Sequence, residues 1–404
     1  MPSHPVADRI LVIGAGLAGL RTVAELRAAG FTGHIRLIGG EIHPPYDRPP
    51  LSKELLSHPA PVWLSEDLGH DLEMADEVHL GVRAEELHLG AGPEVRMADG
   101  ATYAADHVVL ATGSVAIRPP SWQGAVALHT LDEAEYLRAQ LQQEGPGLHL
   151  VVIGAGWIGA EVAGVAAEAG SQVDVLEAGP TPLWRQLGPE LGGRTSPWYA
   201  EAGVKLHTDT AVTAVEDHTV HTGEDQLHAD IVLCAVGARP DTAWLGDAVP
   251  RTQRGHVVVD AAGRSSVPGV WAVGDVAERE HPVFGRTPGG HWSAALTDPV
   301  ALARAMMGLE PPEVEPAPYL NSMQLGHQLA VYGRLTEDRL TRGDAQAGPW
   351  TTLCFEADRL TGAVIADAPR EVSGMRKLLG RGELPVLDRE LAADPTVKLA
   401  KTRR

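Results

Sequence analysis

A glycine motif that occurs twice constrains the fold of this chain more than any other feature. Ile10–Ile13 lead into a GxGxxG motif at residues 14–19, and Leu150–Ile153 lead into a second one at residues 154–159. In such a motif the first glycine permits a tight turn, the second lets backbone N–H groups approach a pyrophosphate, and the third lets helix and strand pack closely. The sequence therefore predicts two dinucleotide-binding sites in one chain.

The residues after each motif predict the same order of elements. A helix is expected over residues 20–29 and another over residues 160–169, each ending at a glycine, and the short apolar strands Ile35–Ile38 and Val173–Leu176 follow. Two βαβ units with parallel sheets are the simplest arrangement of this pattern. The predicted fold class is α/β, with two Rossmann-like dinucleotide-binding domains and a small α+β C-terminal domain.

An acidic residue follows each second strand. These residues are Glu41 and Glu177, and a carboxylate at this place accepts hydrogen bonds from ribose hydroxyls. Glu177 would repel a 2′-phosphate and the residues directly after it are not basic, so NADH is favoured over NADPH, although Arg185 could fold back toward the ribose. Two different dinucleotides in one chain indicate electron transfer between a tightly held flavin and a diffusing nicotinamide.

Composition excludes several other functions. The 404 residues include 33 Lys and Arg against 53 Asp and Glu, and a net charge of −20 disfavours nucleic acid and anionic membranes as partners. The two cysteines, Cys234 and Cys354, form no CxxC pair and cannot ligate an iron–sulfur cluster. The histidines lack metal-site spacing, so no metal is expected, and the absence of a targeting or membrane segment favours a cytoplasmic location.

The stretch Pro44–Lys53 reads Pro-Pro-Tyr-Asp-Arg-Pro-Pro-Leu-Ser-Lys and is held extended by its prolines, with a helix expected from Leu51. With this stretch and the two glycine motifs, the chain resembles the NADH-dependent ferredoxin reductases of the putidaredoxin-reductase type. These enzymes serve oxygenases and cytochromes P450 and belong to the wider glutathione-reductase fold group. The resemblance covers roughly residues 8–310 and touches the C-terminal region at residues 359–362 and 376–379.

The resemblance implies FAD at the first glycine motif and NADH at the second. It places Lys53 at the edge of the flavin ring, where a cation favours negative charge on the reduced flavin, and it pairs Lys53 with Glu161. Lys53 and Glu161 are the predicted catalytic residues. The predicted cofactor-binding residues are Gly14, Gly16, Leu17, Ala18, Gly19, Glu41, Arg48, Lys53, Val82, Ala111, Thr112, Gly113, Gly154, Gly156, Trp157, Ile158, Gly159, Glu177, Gly237, Gly274, Asp275, His291 and Trp292.

A second FAD signature is expected near residue 270. Val270–Val273 predicts a buried strand that ends at Gly274 and Asp275, and the resemblance puts the Asp275 carboxylate on the ribityl chain of FAD. Trp292 precedes a predicted helix over residues 293–307. His291 stands where the family usually has a glutamate, and it is either a group that titrates near neutral pH beside the flavin or a surface or core histidine.

The C-terminal region departs from the family pattern. Residues 318–324 read Pro-Tyr-Leu-Asn-Ser-Met-Gln, where the family has an aromatic-rich segment, so that Asn321 replaces a tryptophan and Met323 replaces an aspartate. A [2Fe–2S] ferredoxin is the expected electron acceptor. Another iron–sulfur protein, a rubredoxin or a small acceptor is the alternative.

Three parts are predicted: an FAD domain split between residues 1–113 and 242–312, an NADH domain at 114–241, and a C-terminal interface domain at 313–404 with strands first and then a helix. The predicted function is an NADH:ferredoxin oxidoreductase that feeds a monooxygenase or a P450. The alternatives are an NADH oxidase or quinone reductase, and a slow-turnover FAD/NADH redox-sensing protein resembling apoptosis-inducing factor. A monomer and a homodimer are both compatible with the sequence.

Overall fold

The first glycine motif follows the central strand of a parallel sheet. The computed structural model describes residues 8–58, 60–144, 147–223, 225–345 and 348–404, so the first seven residues of the predicted FAD domain lie outside it. The elements of the first segment are β1 (Arg9–Ile13), α1 (Leu17–Ala28), β2 (His34–Ile38), α2 (Pro50–Lys53), α3 (Leu64–Asp67), β3 (Glu77–His79), β4 (Ala84–Leu89), β5 (Pro93–Met97), β6 (Thr102–Ala104), β7 (His107–Leu110) and β8 (Ser114–Ala116). Strand β1 pairs in parallel with β2 and β7, β3 pairs with β2, and β4–β6 form a separate antiparallel sheet.

The second glycine motif occupies the same position in a second parallel sheet. The elements here are β9 (Val126–Ala127), α4 (Leu131–Glu144), β10 (His149–Ile153), α5 (Trp157–Glu168), β11 (Gln172–Leu176), α6 (Trp184–Gly193), α7 (Ser196–Glu201), β12 (Lys205–His207), β13 (Ala214–Glu216), β14 (Thr219–Thr222), β15 (Asp225–His228), β16 (Ile231–Cys234) and β17 (Ala238–Pro240). The spatial order is β12-β11-β10-β16-β9, and β13–β15 form a small antiparallel sheet. The predicted second βαβ unit is therefore present.

The chain then returns to the first sheet. The next elements are β18 (Val257–Val259), β19 (Val270–Ala272), β20 (Ala277–His281), β21 (Gly285–Pro288) and α8 (Trp292–Met306). Strand β19 pairs in parallel with β7 and so becomes the fifth strand of the first sheet. Helix α8 packs beside α1, and Leu302 shares a buried core cluster with Val12, Leu20 and Val23.

The C-terminal region has strands first and then helices, as predicted. Its elements are β22 (Tyr319–Gln324), β23 (His327–Gly333), β24 (Asp338–Gly343), β25 (Trp350–Glu356), β26 (Arg359–Ala366), α9 (Pro369–Leu379) and α10 (Arg389–Ala393). The five strands form an antiparallel sheet in the order β22-β23-β26-β25-β24. Within the described ranges, no helix combines the length and the apolar character needed to cross a membrane.

The helices of both glycine motifs begin three residues earlier than predicted. Helix α1 starts at Leu17 and α5 at Trp157, and the glycines before them, Gly16 and Gly156, are the N-cap residues in extended conformation. The third glycine of each motif therefore lies inside the first helical turn. Each helix N-terminus consequently lies beside the glycine turn.

Candidate dinucleotide sites and the contact between them

The three glycines of the first motif have three different surroundings. Gly14 has φ +113°, and a Cβ there would lie 2.1 Å from the carbonyl oxygen of Ala111. A Cβ on Gly19 would lie 1.8 Å from the carbonyl oxygen of Gly14, whereas one on Gly16 would meet no atom within 4 Å. Gly14 and Gly19 are needed for close packing, and Gly16 borders open space. Residues 14–19 are called the first cradle below.

The second motif repeats this geometry, and residues 154–159 are called the second cradle. Gly154 has φ +107°, and its Cβ would lie 2.6 Å from the carbonyl oxygen of Ala235. A Cβ on Gly159 would lie 2.1 Å from Gly154, and the nearest atom to one on Gly156 is 3.9 Å away. The two cradles therefore have the same backbone arrangement.

Both cradles fit a diphosphate. Helices α1 and α5 begin without a side-chain cap, so their first N–H groups are available to a ligand at the positive end of the helix dipole. The missing Cβ atoms of Gly16 and Gly156 leave room for phosphate oxygens against this backbone. A nucleotide diphosphate supplies the negative charge and the acceptors that such a site requires.

Glu41 is held by two side chains of the proline-rich stretch. Tyr46 donates its hydroxyl hydrogen to Glu41 Oε2 at 2.6 Å, and Arg48 Nη2 donates to Glu41 Oε1 at 2.6 Å. Burial raises the pKa of Tyr46, which keeps its hydroxyl a donor. The Tyr46 oxygen in turn accepts from the backbone N–H of Leu131 at 2.9 Å. Glu41 therefore has a fixed orientation beyond the end of β2.

A buried carboxylate joins the first βαβ unit to the second. Helix α2 is a single turn that begins at Pro50, one residue before the predicted start, and Lys53 Nζ at its end donates to Glu161 Oε1 at 2.8 Å. Ser52 donates its hydroxyl to Glu161 Oε2 at 2.5 Å. Glu161 lies in α5, two residues after Gly159, and its side chain is 3% exposed against 22% for Lys53. The two predicted catalytic residues are thus in direct contact.

The C-terminal sheet adds a further donor to Glu161. Ser322 in β22 donates its hydroxyl to Glu161 Oε1, and Gln324 Nε2 donates to Ser322 Oγ at 2.6 Å and to the carbonyl oxygen of Trp157 at 3.1 Å. Ser52, Ser322 and Gln324 are not among the site residues predicted from the sequence. Three separate regions of the chain therefore meet at one buried carboxylate.

Asp275 lies in a short 3₁₀ turn, residues 274–276, directly after β19. Its carboxylate accepts from the backbone N–H of Gly290 at 2.9 Å and from the hydroxyl of Ser114 at 3.2 Å. The neighbouring N–H of Gly274 donates to Asp298 of α8 at 3.2 Å. Burial raises the pKa of Asp298 to about 6. Asp298 was not predicted as a site residue, and its carboxyl group, carried by α8, is the second one that contacts this turn.

His291 and Trp292 begin helix α8 but have different surroundings. The Nδ1 atom of His291 accepts from the backbone N–H of Ala294 at 3.1 Å, so this histidine is the N-cap of the helix. Burial lowers the pKa of His291. The side chain of Trp292 is 43% exposed, and its indole N–H donates to Asp47 at 2.9 Å. Helix α8 starts one residue earlier than predicted.

Glu177 lies at the end of β11 beside the second cradle. Its Oε2 atom accepts from the backbone N–H of Ala155 at 2.9 Å, and its Oε1 atom accepts from Gly179 N at 2.8 Å and from Trp184 Nε1 at 3.1 Å. The guanidinium of Arg185 lies over the Trp184 ring, 5.1 Å from its centre. The carboxylate is therefore fixed against the backbone of the cradle.

The remaining candidates border the cradles or the crossing between the two units. Strands β8 and β17 pair antiparallel at this crossing. Thr112 donates its hydroxyl to the carbonyl oxygen of Asp241 at 2.8 Å, and Gly113 O accepts from Asp241 N at 3.0 Å. Gly237 O accepts from Ile117 N at 3.0 Å. The first turns of the two motif helices contain Leu17, Ala18, Trp157 and Ile158. Val82 donates its N–H to the carbonyl oxygen of Gly39, a residue that packs against Ala15 of the first cradle.

The cysteines do not form a redox pair. Cys234 is in β16 and Cys354 is in β25, both are buried, and burial raises the pKa of each thiol. In the part of the chain that the structure describes, no group of three or more His, Cys, Asp or Glu side chains could hold a metal ion.

Two nucleotide cradles on parallel sheets, joined by the Lys53–Glu161 contact, define a two-dinucleotide oxidoreductase. Comparison with known protein families identifies the family within this class. The pyridine nucleotide-disulphide oxidoreductase family matches residues 8–297, and the reductase C-terminal family matches residues 320–403. The chain belongs to the pyridine nucleotide-disulphide oxidoreductase family.

Curated relatives and solved structures match nearly the whole chain. The ferredoxin–NAD(+) reductase component of the anthranilate 1,2-dioxygenase system of Burkholderia cepacia is 31% identical over 97% of this chain and 98% of its own length. The corresponding subunit of the benzene 1,2-dioxygenase system of Pseudomonas putida is 33% identical over 93% of both chains. Putidaredoxin reductase, in its covalent complex with putidaredoxin, gives a TM-score of 0.88 at 27% identity and covers 98% of both chains. The predicted family resemblance, the enzyme class and the cofactor pair, FAD and NADH, are confirmed.

Proposed function

We propose that this chain oxidises NADH and passes the electrons through FAD to a small [2Fe–2S] protein that feeds an oxygenase or a cytochrome P450. The observation that carries the proposal is the buried contact of Lys53 with Glu161, which joins the surroundings of the two cradles. The chain has no vicinal cysteines through which electrons could be relayed. The two bacterial relatives are named as ferredoxin–NAD(+) reductase parts of dioxygenase systems, which supports this acceptor class.

In this proposal FAD occupies the first cradle. Gly16 leaves room for its diphosphate, Glu41 lies where it can accept from the adenosine ribose, and Asp275 offers a carboxylate to the ribityl hydroxyls. FAD, when bound, accepts a hydride from NADH and returns the electrons one at a time to a one-electron carrier. This converts a two-electron donor into a supply for an iron–sulfur centre.

Lys53 and Glu161 are proposed to act as a unit. A cation at the flavin edge stabilises the negative charge that develops on reduction. Glu161 receives donors from Lys53, Ser52 and Ser322, so the Lys53 ammonium has a fixed partner and a fixed position. Because Lys53 is 22% exposed, its charge remains accessible to a ligand beside α2.

In this proposal NADH occupies the second cradle. Gly156 leaves room for the diphosphate, and the Glu177 carboxylate accepts from the ribose hydroxyls of the adenosine half. The same carboxylate repels the 2′-phosphate of NADPH. The guanidinium of Arg185 lies over the Trp184 ring, 5.1 Å from its centre.

The proposed domain division follows the sheets. Pairing of β19 with β7 supports the assignment of residues 242–312 to the same domain as residues 1–113, with 114–241 as the NADH domain and 313–404 as the interface domain. The net charge of −20 supports a partner other than nucleic acid or an anionic membrane. A cytoplasmic monomer or homodimer is proposed.

The test is the reduction of cytochrome c by NADH in the presence and absence of a [2Fe–2S] ferredoxin. We expect a rate at least tenfold higher with the ferredoxin than without it, and no such increase with a ferredoxin that lacks its cluster. Rapid turnover with oxygen or a quinone alone would instead identify an oxidase or quinone reductase. A long-lived complex with NADH, slow turnover and NADH-driven dimerisation would identify a redox-sensing protein.

A further inference from the structure

The Glu177 carboxylate is held by three N–H donors, and one of them belongs to a side chain. The backbone N–H groups of Ala155 and Gly179 are 2.9 and 2.8 Å from its oxygens. The indole N–H of Trp184 is the third donor, at 3.1 Å from Oε1. Of these three donors, only the indole N–H of Trp184 can be removed by replacing a side chain.

Close packing confines the indole ring of Trp184. A Cβ on Gly179 would lie 2.0 Å from Trp184 Nε1, so the ring packs directly against the bare backbone of Gly179. Leu183, immediately before Trp184, has φ +51°, a left-handed conformation that is costly for a leucine. The N–H of Leu183 donates to the carbonyl oxygen of Ala155 at 3.0 Å, which ties this turn to the second cradle. The surrounding packing thus holds the indole in one place.

A held carboxylate discriminates between nucleotides more strongly than a free one. A carboxylate has about four acceptor positions. Three of them are used here, and Oε2 accepts only from Ala155 among the described residues, so it keeps an acceptor position for a ribose hydroxyl. A freely rotating carboxylate could turn away from a 2′-phosphate, whereas one fixed at both oxygens cannot.

We infer that Trp184 is a positioning residue that strengthens the preference for NADH over NADPH, because its indole N–H adds a second donor at Oε1 to the backbone donors Ala155 and Gly179 that keep Glu177 from turning away from the ribose 2′-position. The inference rests on the proposed placement of NADH in the second cradle. It concerns selectivity and not hydride transfer, since Trp184 acts through Glu177.

Replacement of Trp184 by phenylalanine tests the inference because it removes the N–H and keeps an aromatic face under Arg185. With the FAD-loaded full chain and ferricyanide as acceptor, we expect W184F to raise KM for NADH by about 3- to 10-fold. Turnover at saturating NADH should change less than twofold, and KM for NADPH should stay constant or fall. Trp122→Phe is the matched control, because Trp122 packs against another core cluster of the same unit and should leave both KM values unchanged.

Glu177→Ala, measured in parallel, separates this inference from the proposed function. If E177A lowers the NADH/NADPH selectivity and W184F leaves it within twofold of the wild type, the role of Trp184 is refuted and the site assignment stands. If neither variant changes selectivity, the placement of NADH at Glu177 is refuted as well. If W184F loses its fold by circular dichroism, W184M, whose flexible side chain fills part of the space and carries no hydrogen-bond donor, is put through the same comparison.

Discussion

The pair formed by Lys53 and Glu161 should contribute a measurable coupling energy to the stability of the chain. The Nζ–Oε1 distance of 2.8 Å gives a Coulomb attraction of about 6 kcal/mol at an effective dielectric constant of about 20. Desolvation offsets part of this, because the carboxylate is 3% exposed and the ammonium 22%. We therefore expect a coupling of about 2–3 kcal/mol in a double-mutant cycle.

The cycle uses Lys53→Met, Glu161→Gln and the double variant. Lys53→Met should cost about 3 kcal/mol of unfolding free energy, because it leaves a buried carboxylate with hydroxyl donors alone. The double variant should be more stable than the sum of the single losses predicts. Urea denaturation is followed by circular dichroism and by flavin fluorescence at one fixed excess of FAD, because bound ligand shifts apparent stability.

Additive effects of the two substitutions would refute the reasoning, because they would mean that the ammonium and the carboxylate do not interact across the two units. A surface pair provides the control. Arg96 and Glu86 lie 3.0 Å apart with side chains 40% and 48% exposed, and the corresponding cycle there should give no measurable coupling.

Three further predictions concern the cradles and the turn at Asp275. Glu177→Ala should raise KM for NADH about tenfold and change KM for NADPH much less in steady-state assays, and equal losses would contradict the assignment. A Cβ on Gly16 or Gly156 meets no protein atom closer than 3.9 Å, so a valine at either position should obstruct the ligand and not the fold. Gly16→Val should therefore give protein without flavin absorbance, whereas Gly156→Val should stay yellow and lose NADH oxidation. The reverse pattern would mean that FAD binds at the second cradle and NADH at the first. The pKa of Asp298 is raised from 3.8 to about 6. The stability that the protonated carboxyl group contributes is therefore present below pH 4 and is lost as the pH rises through 6. Between pH 4 and 7, Asp298→Asn should gain up to about 3 kcal/mol of unfolding free energy relative to the wild type in urea denaturation. A difference that does not vary with pH would contradict this.

The two βαβ units were predictable because each GxGxxG motif determines the backbone conformation of the turn between strand and helix. Gly14 and Gly154 adopt positive φ beside β7 and β16, where a Cβ would collide with a carbonyl oxygen. The apolar runs before them are buried on both faces, as parallel strands require. The helix starts were wrong by three residues because an apolar pattern does not show that the second glycine is the N-cap.

Contacts between residues far apart in the sequence were harder to predict. Lys53 and Glu161 are 108 positions apart, and their pairing was expected from the family resemblance and not from the local pattern. The contact of Trp184 with Glu177 depends on the left-handed turn at Leu183, and a leucine gives no signal of positive φ. Such contacts depend on tertiary packing, which a single sequence does not encode in its periodicity.

Strand β22 separates the residues that depart from the family pattern from those that contact the buried carboxylate. Side chains alternate between the two faces of a strand. Asn321 and Met323 were singled out, and the Met323 side chain is 40% exposed, whereas Ser322 and Gln324 on the other face are 1% and 2% exposed. Ser322 contacts Glu161, so the inner face of β22 completes the buried network, whereas the exposed Met323 on the outer face takes no part in it. A Met323→Ala substitution should therefore leave the Lys53–Glu161 pair undisturbed, so the double-mutant cycle described above should give the same coupling energy in this background, and a loss of coupling would contradict the separation of the two faces.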